Sequence, residues 1–136
     1  ITAIVLSESF GQNVNVVFDR KEIKDHGEGG RLIGQLQGQV VVLDDVITAG
    51  TAIRNALATV GNVTTDAKVV GLVVALDRQE RQLDSPISAI EQLANELKIQ
   101  VHSLLTLDDI VTYLEASDGA ANWLASMQAY REAFGA

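Results

Sequence analysis

A continuous apolar run rich in β-branched residues at 39–43 and a second, longer one at 67–76 constrain the fold more than any other feature of the chain. Residues 99–105 read as a third core strand. A strand that is apolar without alternation is one buried on both faces, as in a parallel sheet. Between the runs lie stretches with helical spacing. Ile53, Leu57 and Val60 follow the first run, and Ile87, Ile90, Leu93 and Leu97 follow the second. Strands alternating with amphipathic helices predict an α/β architecture, a mostly parallel sheet flanked by helices.

Local signals predict the rest. Ile1, Ile4, Val5 and Phe10 have helical spacing, so the chain is expected to begin inside a helix, with further material upstream. Residues 15–18 read as a short strand. Residues 19–38 read as a long polar loop containing Gly27, Gly29, Gly30, Gly34 and Gly38. Gly61 is expected to stop the helix that precedes it. Ser85-Pro86 reads as an N-cap with proline in the first helical position. Thr106-Leu107-Asp108-Asp109 resembles a capping box opening a helix that runs through Leu114. A last amphipathic helix is expected over residues 119–134, with the faces of Leu114, Trp123, Leu124 and Met127 packed as core. The 136 residues are about one domain's worth, large enough to bury a core without disulfides.

Composition narrows the function classes. Cysteine is absent, which excludes thiol redox chemistry and thiolate metal sites. No apolar run approaches the roughly 20 residues that span a bilayer. Ten basic against eighteen acidic residues give a net charge of −8, which argues against a nucleic-acid or acidic-membrane surface. Yet Arg20, Lys21, Lys24 and Arg31 are clustered. One local cationic segment on an acidic protein suits a small polyanionic ligand.

In open parallel sheets ligands bind beyond the carboxyl ends of the strands. Three polar groups fall at such ends: Asp19-Arg20-Lys21, Asp44-Asp45 and Asp77-Arg78. The most specific string is Val40-Val41-Val42-Leu43-Asp44-Asp45-Val46-Ile47-Thr48-Ala49-Gly50-Thr51-Ala52. A buried strand delivers two carboxylates, and a small-residue turn then opens a helix. Free N–H groups and the partial positive charge of a helix start suit a phosphate. Gly50 and the alanines admit close approach, and Thr48 and Thr51 supply hydroxyls. Paired carboxylates can accept hydrogen bonds from two neighbouring sugar hydroxyls. The string is neither a Walker loop nor a dinucleotide fingerprint. Taken singly, Asp44-Asp45 could be a strand-end pair and Thr51 an N-cap, and the 20–31 segment an ordinary solvated loop.

The thirteen-residue string resembles the 5-phosphoribosyl-1-pyrophosphate (PRPP) motif of the type I phosphoribosyltransferases. Arg20-Lys21-Glu22-Ile23-Lys24-Asp25-His26-Gly27-Glu28-Gly29-Gly30 is similar to the catalytic loop of the orotate branch of that family, in its bacterial form. Leu76-Asp77-Arg78-Gln79-Glu80-Arg81, Ile87-Ser88-Ala89-Ile90 and Ala129-Tyr130-Arg131-Glu132-Ala133-Phe134-Gly135 continue the likeness. It covers essentially the whole chain but only the C-terminal two-thirds of a complete enzyme. The family's upstream strand, and the hood over the base, have no counterpart in these residues, so residues 1–136 are expected to form a phosphoribosyltransferase domain truncated at its N-terminus.

The resemblance implies a Mg²⁺-dependent transfer of ribose 5-phosphate from PRPP to orotate. The products are orotidine 5-monophosphate and pyrophosphate, a step of de novo pyrimidine (UMP) biosynthesis. Lys24 and His26 match catalytic loop positions that reach pyrophosphate, and Arg20 and Lys21 match further PRPP contacts. Asp44 and Asp45 match the ribose pair. Val46, Ile47, Thr48, Ala49, Gly50, Thr51 and Ala52 match the rest of the PRPP site. Thr48 and Arg78 match orotate positions, and a guanidinium suits the orotate carboxylate. The alternative for Arg78 is a strand-end ion pair with Asp77 or Glu80. Mg²⁺ is expected to be held mainly through PRPP, without direct protein ligands. The resemblance further implies a cytoplasmic homodimer with the loop shared across subunits, and neither nucleic acid nor membrane as partner. A non-catalytic PRPP-binding regulatory module of the same fold is the alternative.

Overall fold

The computed structural model describes residues 1–19, 32–48, 50–82 and 85–136. In chain order the elements are α1 (Thr2–Phe10), β1 (Phe18–Asp19), β2 (Leu32–Ile33), β3 (Gly38–Val46) and α2 (Thr51–Val63). They continue with β4 (Ala67–Asp77), β5 (Arg81–Gln82), β6 (Ser85–Ser88) and α3 (Ala89–Leu97). Last come β7 (Gln100–Thr106), α4 (Leu107–Glu115) and α5 (Ala121–Phe134).

The two apolar runs and the third core strand form one parallel sheet in the order β3-β4-β7. Register aligns Val42 with Leu72 and Leu72 with Val101, and that row packs against the core. Leu72 and Val74 are fully buried against Ile53 of α2 and against Ile90 and Leu93 of α3. Burial of a side chain this size contributes about 1.5–3 kcal/mol. Ile53, Ile90 and Leu93 belong to the same cluster, so α2 and α3 cover one face of the sheet. The alternate pleat carries Val41 and Leu43 of β3, which are 52% and 56% exposed. Among the described residues β3 pairs only with β4. A bulge between Val40 and Val41 leaves Val70 without a partner in the register.

Several sequence expectations are corrected. The strand expected at 15–18 is reduced to Phe18–Asp19, because its antiparallel partner β2 offers only Leu32 and Ile33. That partner lies inside the stretch expected to be loop. Gly61 does not stop α2, which continues to Val63 and ends at an extended Thr64. Glycine costs a helix interior only about 1 kcal/mol, and Gly61 does not adopt a left-handed conformation. Ser85-Pro86 opens no helix but forms β6, paired antiparallel with β5. The cap is Ser88. Its hydroxyl accepts from the Glu91 N–H (3.1 Å), and the Glu91 carboxylate accepts from the Ser88 N–H (3.2 Å). The acid three residues on decides between the two serines, since Ser85 has only Ser88 at that distance. The last helix starts at Ala121 and buries no residue; Trp123 is 68% exposed, while Leu114, Leu124 and Met127 are half-buried. The box at Thr106–Asp109 forms as expected.

Candidate active site

The parallel register brings the carboxyl ends of the strands together. Val46 pairs with Leu76 and Leu76 with Leu105. Beyond this edge lies a cleft of about 270 Å³ lined by Asp44, Val46, Ile47, Thr48, Gly50, Thr51, Ala52 and Ile53. Seven of the residues singled out in the sequence therefore share one concavity.

Its floor is the start of α2. Gly50 is the N-cap, in a left-handed conformation (φ 68°), with no side chain to cap the first turn. The first intrahelical bond of this turn runs from the Arg54 N–H to the Gly50 carbonyl at 3.0 Å. The N–H groups of the preceding residues have no i−4 partner in the helix, the arrangement that favours an anion. A Cβ on Gly50 would stand 3.1 Å from Leu93 Cδ1 and 3.2 Å from Arg54 Nη1. The backbone angle favours glycine, and a side chain there would also press on Leu93 and Arg54. Arg54 forks onto Glu96 of α3, with Nε to Oε1 at 3.0 Å and Nη2 to Oε2 at 2.6 Å. Those hydrogen bonds hold the Glu96 carboxyl below its ordinary value.

Asp44 is half-buried and enters the cleft, whereas Asp45, on the other pleat, is exposed and outside its lining. Each carboxylate accepts from the next backbone N–H: Asp44 from Asp45 at 3.0 Å, and Asp45 from Val46 at 2.7 Å. These short turns hold the two side chains at the strand end. Arg78, beyond β4, pairs with Glu80 through Nη2 at 2.9 Å, so the ion pair posed as the alternative for this arginine does form. Its Nε is buried without a hydrogen-bond partner. The Gln82 side-chain amide donates to the Thr48 carbonyl (3.4 Å), tying the segment after Arg78 to the turn over the cleft. Arg20, Lys21, Lys24, His26 and Ala49 lie outside the described residues.

The sequence reading missed Gln79 and Gln82. Neither glutamine carries a motif of its own, and only the structure shows which carbonyl or N–H each reaches. Among the described residues no three His, Cys, Asp or Glu side chains gather as a metal site. The carboxylate that lines the cleft, Asp44, offers hard oxygens. They suit a cation such as Mg²⁺ that takes most of its ligands from substrate and water.

No family model matches the chain. Among curated proteins, it is 49% identical to an orotate phosphoribosyltransferase of Acinetobacter baumannii, over 98% of this chain and 61% of that protein. It is 46% identical to that of Proteus mirabilis, over 98% and 62%. Among solved structures, orotate phosphoribosyltransferase of Francisella tularensis superposes with a TM-score of 0.78 at 28% identity, over 98% of this chain and 62% of that one. The enzyme from Aeropyrum pernix gives 0.52 at 26% identity, over 85% and 59%. The chain thus spans about three fifths of the length of the curated relatives it matches. With the β3–α2 cleft, the parallel sheet and these likenesses together, the chain is a homologue of the bacterial orotate phosphoribosyltransferases and has the type I phosphoribosyltransferase fold.

Proposed function

We propose that the protein transfers ribose 5-phosphate from PRPP to N1 of orotate, releasing pyrophosphate and forming orotidine 5-monophosphate for pyrimidine synthesis. The observation that carries this reading is the cleft in which Asp44 meets the uncapped start of α2. The names of the relatives support orotate as acceptor and a catalytic role over that of a PRPP sensor.

The roles follow from the chemistry of each group. The N–H groups after Gly50, with the Thr48 and Thr51 hydroxyls, hold the 5-phosphate. Asp44 accepts from a ribose hydroxyl, and Asp45 is assigned the neighbouring one. Arg78 presents a guanidinium to the orotate carboxylate, which must share it with Glu80 or displace that side chain. As orotate N1 bonds to the sugar C1 and gives up its proton to solvent, the bond from C1 to pyrophosphate breaks and the leaving group takes the electron pair. Lys24 and His26, with Arg20 and Lys21, neutralise that charge. Mg²⁺ held mainly through PRPP, beside Asp44, would add charge stabilisation and templating. A cytoplasmic homodimer whose loop reaches the neighbouring site belongs to the same proposal and rests on the resemblance. Among the described residues no helix is long and apolar enough to cross a membrane.

The test is PRPP-dependent orotate consumption by the full-length protein, beside calorimetry with PRPP and Mg²⁺. Lys24→Ala is expected to cut turnover by about two to three orders of magnitude with the fold intact. PRPP binding without orotate consumption would instead establish the sensor.

A further inference from the structure

Gln79 is a non-glycine residue in the left-handed region, with φ 52°. Such a conformation is strained for a residue with a side chain and persists where surrounding contacts impose it. Gln79 has contacts in every direction. Its N–H donates to Asp77 Oδ1 at 2.8 Å. Its carbonyl accepts from the Ala136 N–H at 2.8 Å. Its side-chain carbonyl accepts from the Asp108 N–H at 2.9 Å, and its amide donates to Asp108 Oδ2 at 3.1 Å. Asp108 in turn pairs with Arg131 of α5 at 2.7 Å.

The neighbouring residues are tied to the same segment. Glu80 forms an isolated antiparallel bridge with Gly135, and Arg81 Nη2 donates to the Ala133 carbonyl at 2.8 Å. A Cβ on Gly135 would lie 2.6 Å from the Arg131 carbonyl, so the close turn there needs glycine. The turn that carries Arg78 is thus fastened to the start of α4 and to the segment after α5. Arg78 itself has one ion-pair partner, Glu80, and a buried Nε with no hydrogen-bond partner.

We propose that Gln79 is a positioning residue: its two-way amide clasp on Asp108 sets the Arg78 guanidinium at the height where the acceptor's carboxylate arrives. The inference rests on the assignment of Arg78 to orotate. Gln79 touches neither substrate. Loosening it is therefore expected to weaken recognition of the carboxylate-bearing acceptor and spare the sugar phosphate, which binds across β3 and α2.

The experiment uses the full-length protein and compares Gln79→Glu alone with Gln79→Glu combined with Asp108→Asn. The single change sets two carboxylates against each other. The double change restores a donor facing an acceptor and keeps Asp108's other oxygen for Arg131. Expected for the single variant is a rise of about tenfold in KM for orotate, with KM for PRPP within about twofold. The double variant returns the orotate KM toward the parent. Should the single variant melt below the assay temperature, Gln79→Gly, which accepts the backbone angle but lacks the clasp, is expected to show the same split. An active parent whose variants leave the orotate KM unmoved, or raise both KM values alike, overturns the positioning role alone. A parent with no orotate-dependent turnover overturns the reading of the site and this inference with it.

Discussion

Gly50 has a strict reason to be glycine, a left-handed φ of 68°, and it lies close beneath the side chains of Leu93 and Arg54. The sequence conveyed the need for a small residue in a turn, because Thr-Ala-Gly-Thr follows a buried strand. It could not convey that Leu93, more than forty positions away, closes the space. Gly50→Ala is expected to destabilise the fold by about 1–2 kcal/mol in urea unfolding, from the backbone angle alone. It is also expected to weaken PRPP binding in calorimetry, since the same backbone presents the N–H groups. Asp44 and Asp45 illustrate the limit differently. Adjacent in sequence, they fall on opposite pleats, and only Asp44 lines the cleft. A strand's period of two makes this inevitable.

At the scale of elements, a complete capping box marks two helix starts, although only the one at Thr106 is read as such from the sequence. Thr106 and Asp109 make one, and Ser88 and Glu91 make another. Ser85-Pro86 misled because proline is equally at home on a short edge strand, where its missing N–H is not needed. Two substitutions separate the alternatives by equilibrium unfolding. Ser88→Ala is expected to cost about 1 kcal/mol through loss of the cap. Ser85→Ala removes a hydroxyl that accepts only a 3.3 Å bond from the Ile87 N–H, and is expected to cost clearly less. Strands as short as β2 and β5 escaped notice because two residues hold no periodicity.

For the whole molecule, two carboxylates couple fold to pH. Glu96 is held low by hydrogen bonds from Arg54, which join α2 to α3. Asp109 is held low first by the Thr106 hydroxyl and then by the Thr106 N–H. Carboxyls with depressed folded values contribute stability above their unfolded values, about 4, and lose it as pH falls through the lower folded ones. Thermal midpoints are therefore expected to decline on acidification below about pH 4. Glu96→Gln should flatten part of that decline. Both groups lie at the surface, so each effect is modest and weakens with salt.

The sequence alone determined the alternation of buried strands and helices, and with it the strand end where a phosphate and a sugar could be held. Those features are local, written as apolar runs, a carboxylate pair and a glycine turn. Only the tertiary structure decided that α2 and α3 share one face of the sheet, that Arg54 meets Glu96, and that Gln79 meets Asp108 and Ala136. Each of these depends on contacts between residues far apart in the chain, and a linear pattern holds no record of which distant groups will meet.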